Sequence, residues 1–111
     1  MVTVEIFEDG KNQIRGFMVE GHSGFALHGE DIVCAAISVL TQTAVLGLTD
    51  YLHLNPELTI ESGVMKCFLP KQLTENQLIL TQAILRTMLL GLQATEQSYG
   101  KYLAIHKRRW T

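Results

Sequence analysis

The chain opens with Val2, Val4 and Ile6 alternating with Thr3, Glu5 and Phe7, the period of two that a strand with one buried face requires. Asp9-Gly10-Lys11-Asn12 is turn chemistry, since Gly and Asn accept positive φ cheaply. Ile14 to Gly21 then reads as a second strand, hairpin-paired with the first. Residues 23–30 form a connection with Gly24 and Gly29 near its ends. From Asp31 the period changes: Ile32, Ala35, Ala36, Val39, Leu40, Thr43, Leu46 and Gly47 fall on one stripe. That spacing predicts a helix from Asp31 to about Leu52, with Asp31 as its N-cap. Asn55-Pro56 closes it, because the residue before proline avoids helical backbone.

Glu57–Glu61 and Val64–Leu69 predict a second hairpin around Ser62-Gly63, and Pro70 ends it. Thr74-Glu75-Asn76-Gln77 fits a capping box, so a second helix starts there. Its apolar positions, running from Leu78 to Leu92, cover more than half its circumference. Such a helix wants cover on more than one side, from a central position, from a second subunit, or from both. Gly100 stops it, and Tyr102 to Lys107 reads as a last strand. The order is ββαββαβ. The expected fold is α/β (α+β), a mixed sheet carrying two helices in one domain over residues 1–111.

Composition narrows the class. Hydrophobic residues make up 47% and charged ones 18%, which suits a packed globule and excludes a disordered chain. A net charge of −2 supplies no global attraction to nucleic acid. Two cysteines make no secreted-type disulfide framework, and the N-terminus starts in a strand pattern without a signal peptide. Reduced thiols in the cytoplasm are therefore expected. Ile32 to Leu52 is long enough to raise a membrane span, but Ser38, Thr41, Gln42, Thr43, Thr49 and Asp50 interrupt it. A buried helix is the expectation, with no membrane.

The chemistry concentrates between Gly21 and Ser38. His22 stands at a strand end and Cys34 just inside the helix, one residue type to attack and one to manage a proton. With Asp31 as N-cap, Cys34 falls in the first turn, where free amides and the dipole favour negative charge. The amides of Cys34 and Ala35 are then candidate donors to an oxyanion. Asp31 either orients His22, binds a substrate amide, or does no more than cap the helix. Ser38, on the same face one turn past Cys34, is either a donor in the cleft or a hydroxyl bonded to the preceding turn. Phe25 and Leu27 either anchor the connection or grip substrate.

The same stretch closely resembles the signature of the bacterial ribosomal-processing cysteine proteases, Gly-His-x-Gly, a short loop, then Gly-x-Asp-Ile-Val-Cys-Ala-Ala-x-Ser. Gly21, His22, Gly24, Gly29, Asp31, Ile32, Val33, Cys34, Ala35, Ala36 and Ser38 match it. Near the end, Tyr99-Gly100 stands where the family has tyrosine-proline. The resemblance implies a cytoplasmic, homodimeric cysteine endopeptidase. Such enzymes remove a short N-terminal extension from a large-subunit ribosomal protein, cutting after an aromatic residue and before a small one. The chemistry expected is attack by Cys34 on a peptide carbonyl, protonation of the leaving amine by His22, and hydrolysis of the thioester by water that His22 deprotonates. That reaction calls on no cofactor and no metal. Ser23, Gly24 and Gly29 are expected to let residues 23–30 move in the absence of substrate.

Two rivals compete with this reading. His22, His28 and Cys34 follow one another at intervals of six with Asp31 nearby, a looser spacing than structural zinc pairs use. Lys101, Lys107, Arg108, Arg109 and Trp110 suggest instead a non-catalytic, ribosome-associated module that contacts phosphates and stacks on bases. A solvated terminus gives the same composition. Cys67 reads as a small hydrophobe, and neither His53 nor His106 is a site candidate.

Overall fold

Strand pairing organises the molecule in the computed structural model, which describes residues 1–21 and 28–110 and, for 28–31, the backbone alone. β1 (Val2–Glu8) and β2 (Ile14–Glu20) form the expected antiparallel hairpin. The Asp9 carboxylate shapes its turn by accepting from the amides of Lys11 at 2.8 Å and Gln13 at 3.0 Å. Asn12 takes φ 60°, a left-handed value that asparagine tolerates. β3 (Glu57–Glu61) and β4 (Val64–Phe68) make the second hairpin, with Gly63 at φ 77°. β5 (Leu103–Arg109) lies parallel to β1, giving a five-stranded mixed sheet in the order β3-β4-β2-β1-β5.

Alternation along the strands sets the core. Val2, Val4 and Ile6 of β1, Phe17 of β2, Cys67 of β4 and Leu103 of β5 are all buried. They meet Val33, Ile37, Leu85, Met88, Leu89 and Leu92 from the helices α1 (His28–Leu46) and α2 (Glu75–Tyr99) in one cluster. The capping box forms as the sequence predicts: the Thr74 hydroxyl accepts from the Gln77 amide at 3.1 Å, and Gln77 accepts from the Thr74 amide at 2.9 Å. Gln82 anchors α2 to the sheet, accepting from the Ile14 amide at 2.7 Å and donating to its carbonyl at 2.9 Å. At Gly91 the helices come close enough that a β-carbon would sit 2.9 Å from Leu40 Cδ2.

The first helix departs from expectation at both ends. It starts at His28, so Asp31 is an internal residue and no N-cap, and Gly29 belongs to the helix instead of the connection. Acidic residues suit the whole first turn as well as the cap, so the Glu30-Asp31 pair marks the helix start only to within a few residues. At the other end the α-helix stops at Leu46 and widens into a π-helical turn over Gly47–Tyr51. The Leu52 amide closes that turn on the Gly47 carbonyl at 3.0 Å. β5 also runs two residues past the expected Lys107, to Arg109.

Ile32–Tyr51 and Glu75–Tyr99 are both long and apolar enough, by length and composition alone, to cross a membrane. In this fold each turns buried residues toward the sheet, the arrangement of a core helix.

Candidate active site

Cys34 sits early in α1, between Val33 and Ile37 of the core, and keeps 8% of its surface exposed. Cys67, in the middle of the sheet, keeps 1%. Burial pushes the Cys67 thiol up to about 11, because a thiolate there would lose its hydration. Cys67 is thus held neutral inside the sheet, while Cys34 is buried with the core residues early in α1.

The earlier helix start moves Cys34 from the third helical position to the seventh. An α-helix commits each amide to the carbonyl four residues back. The Cys34 and Ala35 amides are therefore taken by Glu30 and Asp31, and neither is a free oxyanion donor. The amides with no carbonyl of α1 four residues behind them are those of residues 28–31. That corrects the expectation placed on Ala35, whose spacing was sound only for a helix beginning at Asp31.

Gly21 closes β2 at φ 89°, and a β-carbon there would run into the Met1 carbonyl oxygen. Only glycine fits, which explains this position of the signature in physical terms. Its amide donates to the Gly63 carbonyl at 3.2 Å, so the end of β2 is tied to the β3–β4 turn. His22, Ser23, Gly24, Phe25 and Leu27 lie outside the described residues, as does the greater part of the expectation of movement over 23–30.

Ser38 is half-buried and lines a depression of about 200 Å³ between α1 and the β3–β4 hairpin. Ile37, Thr41 and Gln42 share its helical wall, Ile60, Glu61 and Gly63 form the opposite wall, and Val19 and Met65 lie with them. Thr41 is the hydroxyl that bonds back to the preceding turn, donating to Ile37 at 2.8 Å. Ser38 thus borders open space on the Cys34 side of the helix, the position a cleft donor needs. Sequence reasoning missed Ile60, Glu61 and Gln42. The approach of Ile60 and Glu61 to Ser38 depends on β4 pairing with β2, which places β3 at the sheet edge, whereas Gln42 stands four residues along the same helix.

The basic terminus is largely engaged within the fold. Arg108 meets Glu5 at 3.1 Å, and the whole run from Leu103 to Arg109 pairs with β1. Trp110 donates its amide to the Glu8 carbonyl at 2.8 Å, and its ring lies 5.1 Å from the guanidinium of the buried Arg15. That contact offers a cation–π interaction inside the protein. Lys107 and Arg109 stay exposed. Among the described residues, no three His, Cys, Asp or Glu side chains stand where they would hold a metal ion. His22 and the side chain of His28, two members of the His22–His28–Cys34 set, lie outside what is described.

Comparison with known proteins gives the site a context. The model of the family described as cysteine protease Prp matches residues 1–104. The chain is 28% identical over 109 residues to the ribosomal processing cysteine protease Prp of Staphylococcus aureus, covering 96% of this chain and 98% of that one. It shares the fold of that organism's essential ribosomal processing protease Prp in complex with a substrate peptide, at a TM-score of 0.85 and 23% identity, over 97% of this chain and all of the other. It also matches the same protease with a covalently linked product peptide, at a TM-score of 0.82 and 24% identity over the same shares.

Proposed function

The chain belongs to the cysteine protease Prp family, and from that premise we propose that it removes a short N-terminal extension from a large-subunit ribosomal protein. Cys34 is the nucleophile and His22 its acid–base partner. The Cys34 thiol gives its proton to His22 as the sulfur adds to the scissile carbonyl, and collapse of the tetrahedral adduct expels the amine, which takes that proton from His22. The thioester that remains is opened by water, which gives its proton to His22, and the thiol is restored. The observation that carries this reading is a cysteine early in α1 that shares a helix face with Ser38, one turn further on, where Ser38 lines a depression. The relative captured with a covalently linked product peptide supports it.

Ser38 is assigned as a donor in the cleft. Asp31, now inside the helix, serves by orienting His22 or binding a substrate amide, and Gly21 holds the end of β2 at the angle the site needs. The protein acts in the cytoplasm as a homodimer. Support for the dimer comes from the exposed apolar residues Val39 and Leu46 of α1 and Ile79, Leu80 and Leu90 of α2, and from an apolar groove of about 580 Å³ that Val39, Tyr51 and Ile84 help to line. A face of that kind is covered in stable assemblies.

The test is mass spectrometry of a synthetic peptide spanning the extension and the first residues of the mature ribosomal protein. Wild type is expected to cut it at one bond, and Cys34→Ala and His22→Ala to leave it intact. Cleavage surviving in Cys34→Ala would overturn the assignment.

A further inference from the structure

β3 is the last strand on its side of the sheet, so one row of its backbone amides and carbonyls has no strand partner. It is also apolar where an edge strand is usually guarded. Ile60 is 66% exposed and Leu58 39%. Their register partners show where these two side chains point. Ile60 pairs with Met65, and Leu58 with Cys67. In turn Met65 pairs with Val19, and Cys67 with Phe17 of the core. Both therefore lie on the helix-facing side of the sheet, beyond the cover the helices provide.

Each of them borders its own depression. Ile60 lines the 200 Å³ depression beside Ser38, whose helical wall lies one turn from Cys34. Leu58 lines a second, of about 340 Å³, with Thr49, Leu54 and Pro56. Residues two apart on a strand share a face and stand about 6.7 Å apart. The side chains that border the two depressions, Ile60 and Leu58, therefore stand at the spacing of alternate side chains in an extended peptide. Because Ser38 of α1 precedes Thr49 of the π-helical turn while Leu58 precedes Ile60 on β3, the helical segment and the strand run in opposite directions along this track. Its open end lies at the Glu61–Gly63 turn, the turn tied to Gly21.

We infer that β3 is the substrate-docking strand of this protease: the peptide on one side of the scissile bond pairs with its free edge as a sixth strand. Alternate apolar side chains of that peptide enter the depressions at Ile60 and Leu58. This rests on the proteolytic reading and deepens it, naming the recognised class as an extended segment with apolar residues at positions i and i+2. Backbone pairing supplies the grip, and the two depressions supply the choice of sequence. Ile60 and Leu58 are specificity-determining residues that act on binding and touch no reacting atom.

The experiment is a backbone N-methyl scan of the synthetic extension peptide, with cleavage by the full chain as readout. N-methylation removes one donor and leaves every side chain in place. On one side of the scissile bond, every second methyl group is expected to lower kcat/KM by roughly fivefold to tenfold, and the intervening ones to have little effect. Ile60→Thr and Leu58→Thr, both on an exposed edge, are expected to raise KM about tenfold with kcat unchanged for peptides carrying apolar residues at the two positions. Effects without a period of two, together with unchanged KM in both variants, would overturn the docking strand while leaving the protease reading intact. A parent peptide neither cleaved by wild type nor bound by Cys34→Ala would overturn both.

Discussion

The Gly21 amide donates to the Gly63 carbonyl at 3.2 Å, joining the residue before His22 to the turn that bounds the groove beside Ser38. Both glycines have positive φ, and at Gly21 the Met1 carbonyl also fills the space a side chain would need. Gly21→Ala is therefore expected to cost about 2 kcal/mol or more in urea unfolding and to lower peptide cleavage further than lost stability explains. Gly10→Ala, with open space around it, is the control and is expected to stay within about 0.5 kcal/mol of wild type. Equal effects at the two positions would contradict the argument.

The buried thiol makes a prediction about pH. Cys67 titrates near 11 in the fold against 9.0 for the free group, so between those values the unfolded chain gives up a proton that the folded chain keeps. Stability from this source is complete below pH 9 and is lost as pH rises toward 11, by about 2–3 kcal/mol. Cys67→Ala has its own cost at neutral pH, since it removes buried volume. Its deficit relative to wild type is expected to shrink across that alkaline window when followed by denaturant unfolding. A constant deficit from pH 8 to pH 11 would show that Cys67 is not the group responsible.

Val39 and Leu90 are each 66% exposed on neighbouring helices. If a second copy covers this face, Val39→Asp and Leu90→Asp bury a charge at the contact. Light scattering after size exclusion is expected to find a dimer for wild type and monomers for the variants, with far-ultraviolet circular dichroism unchanged. A monomeric wild type would remove the proposed dimer.

Local signals carried most of the fold. Alternation in Val2–Ile6, the Asp9–Asn12 turn and the Thr74–Gln77 box each depend on neighbours in sequence, and each formed as read. Two kinds of information were not local. The first helical residue of α1 was misplaced by four residues because Glu30 and Asp31 suit an N-terminus whether they cap it or lie inside it. That error carried into the chemistry, since it assigned an oxyanion amide to Ala35 that the helix already uses. The second is strand order: β2 pairs with β4 and β1 with β5, contacts between residues dozens of positions apart. No pattern within β3 says that it is an edge, so nothing in the sequence singled out Leu58 and Ile60. The Cys34–Ser38 face was legible, because residues four apart share a helix face whatever the helix's first residue is.

The central claim is that Cys34 carries the acyl group of the substrate during turnover. Wild type mixed with the extension peptide, quenched in acid and digested for mass spectrometry tests it most directly. The account predicts that the N-terminal fragment is transiently attached through a thioester to the segment containing Cys34 and never to Cys67, while the C-terminal fragment is already free. Peptide cleaved in a burst with no mass added at Cys34, or an adduct on Cys67 instead, would contradict it.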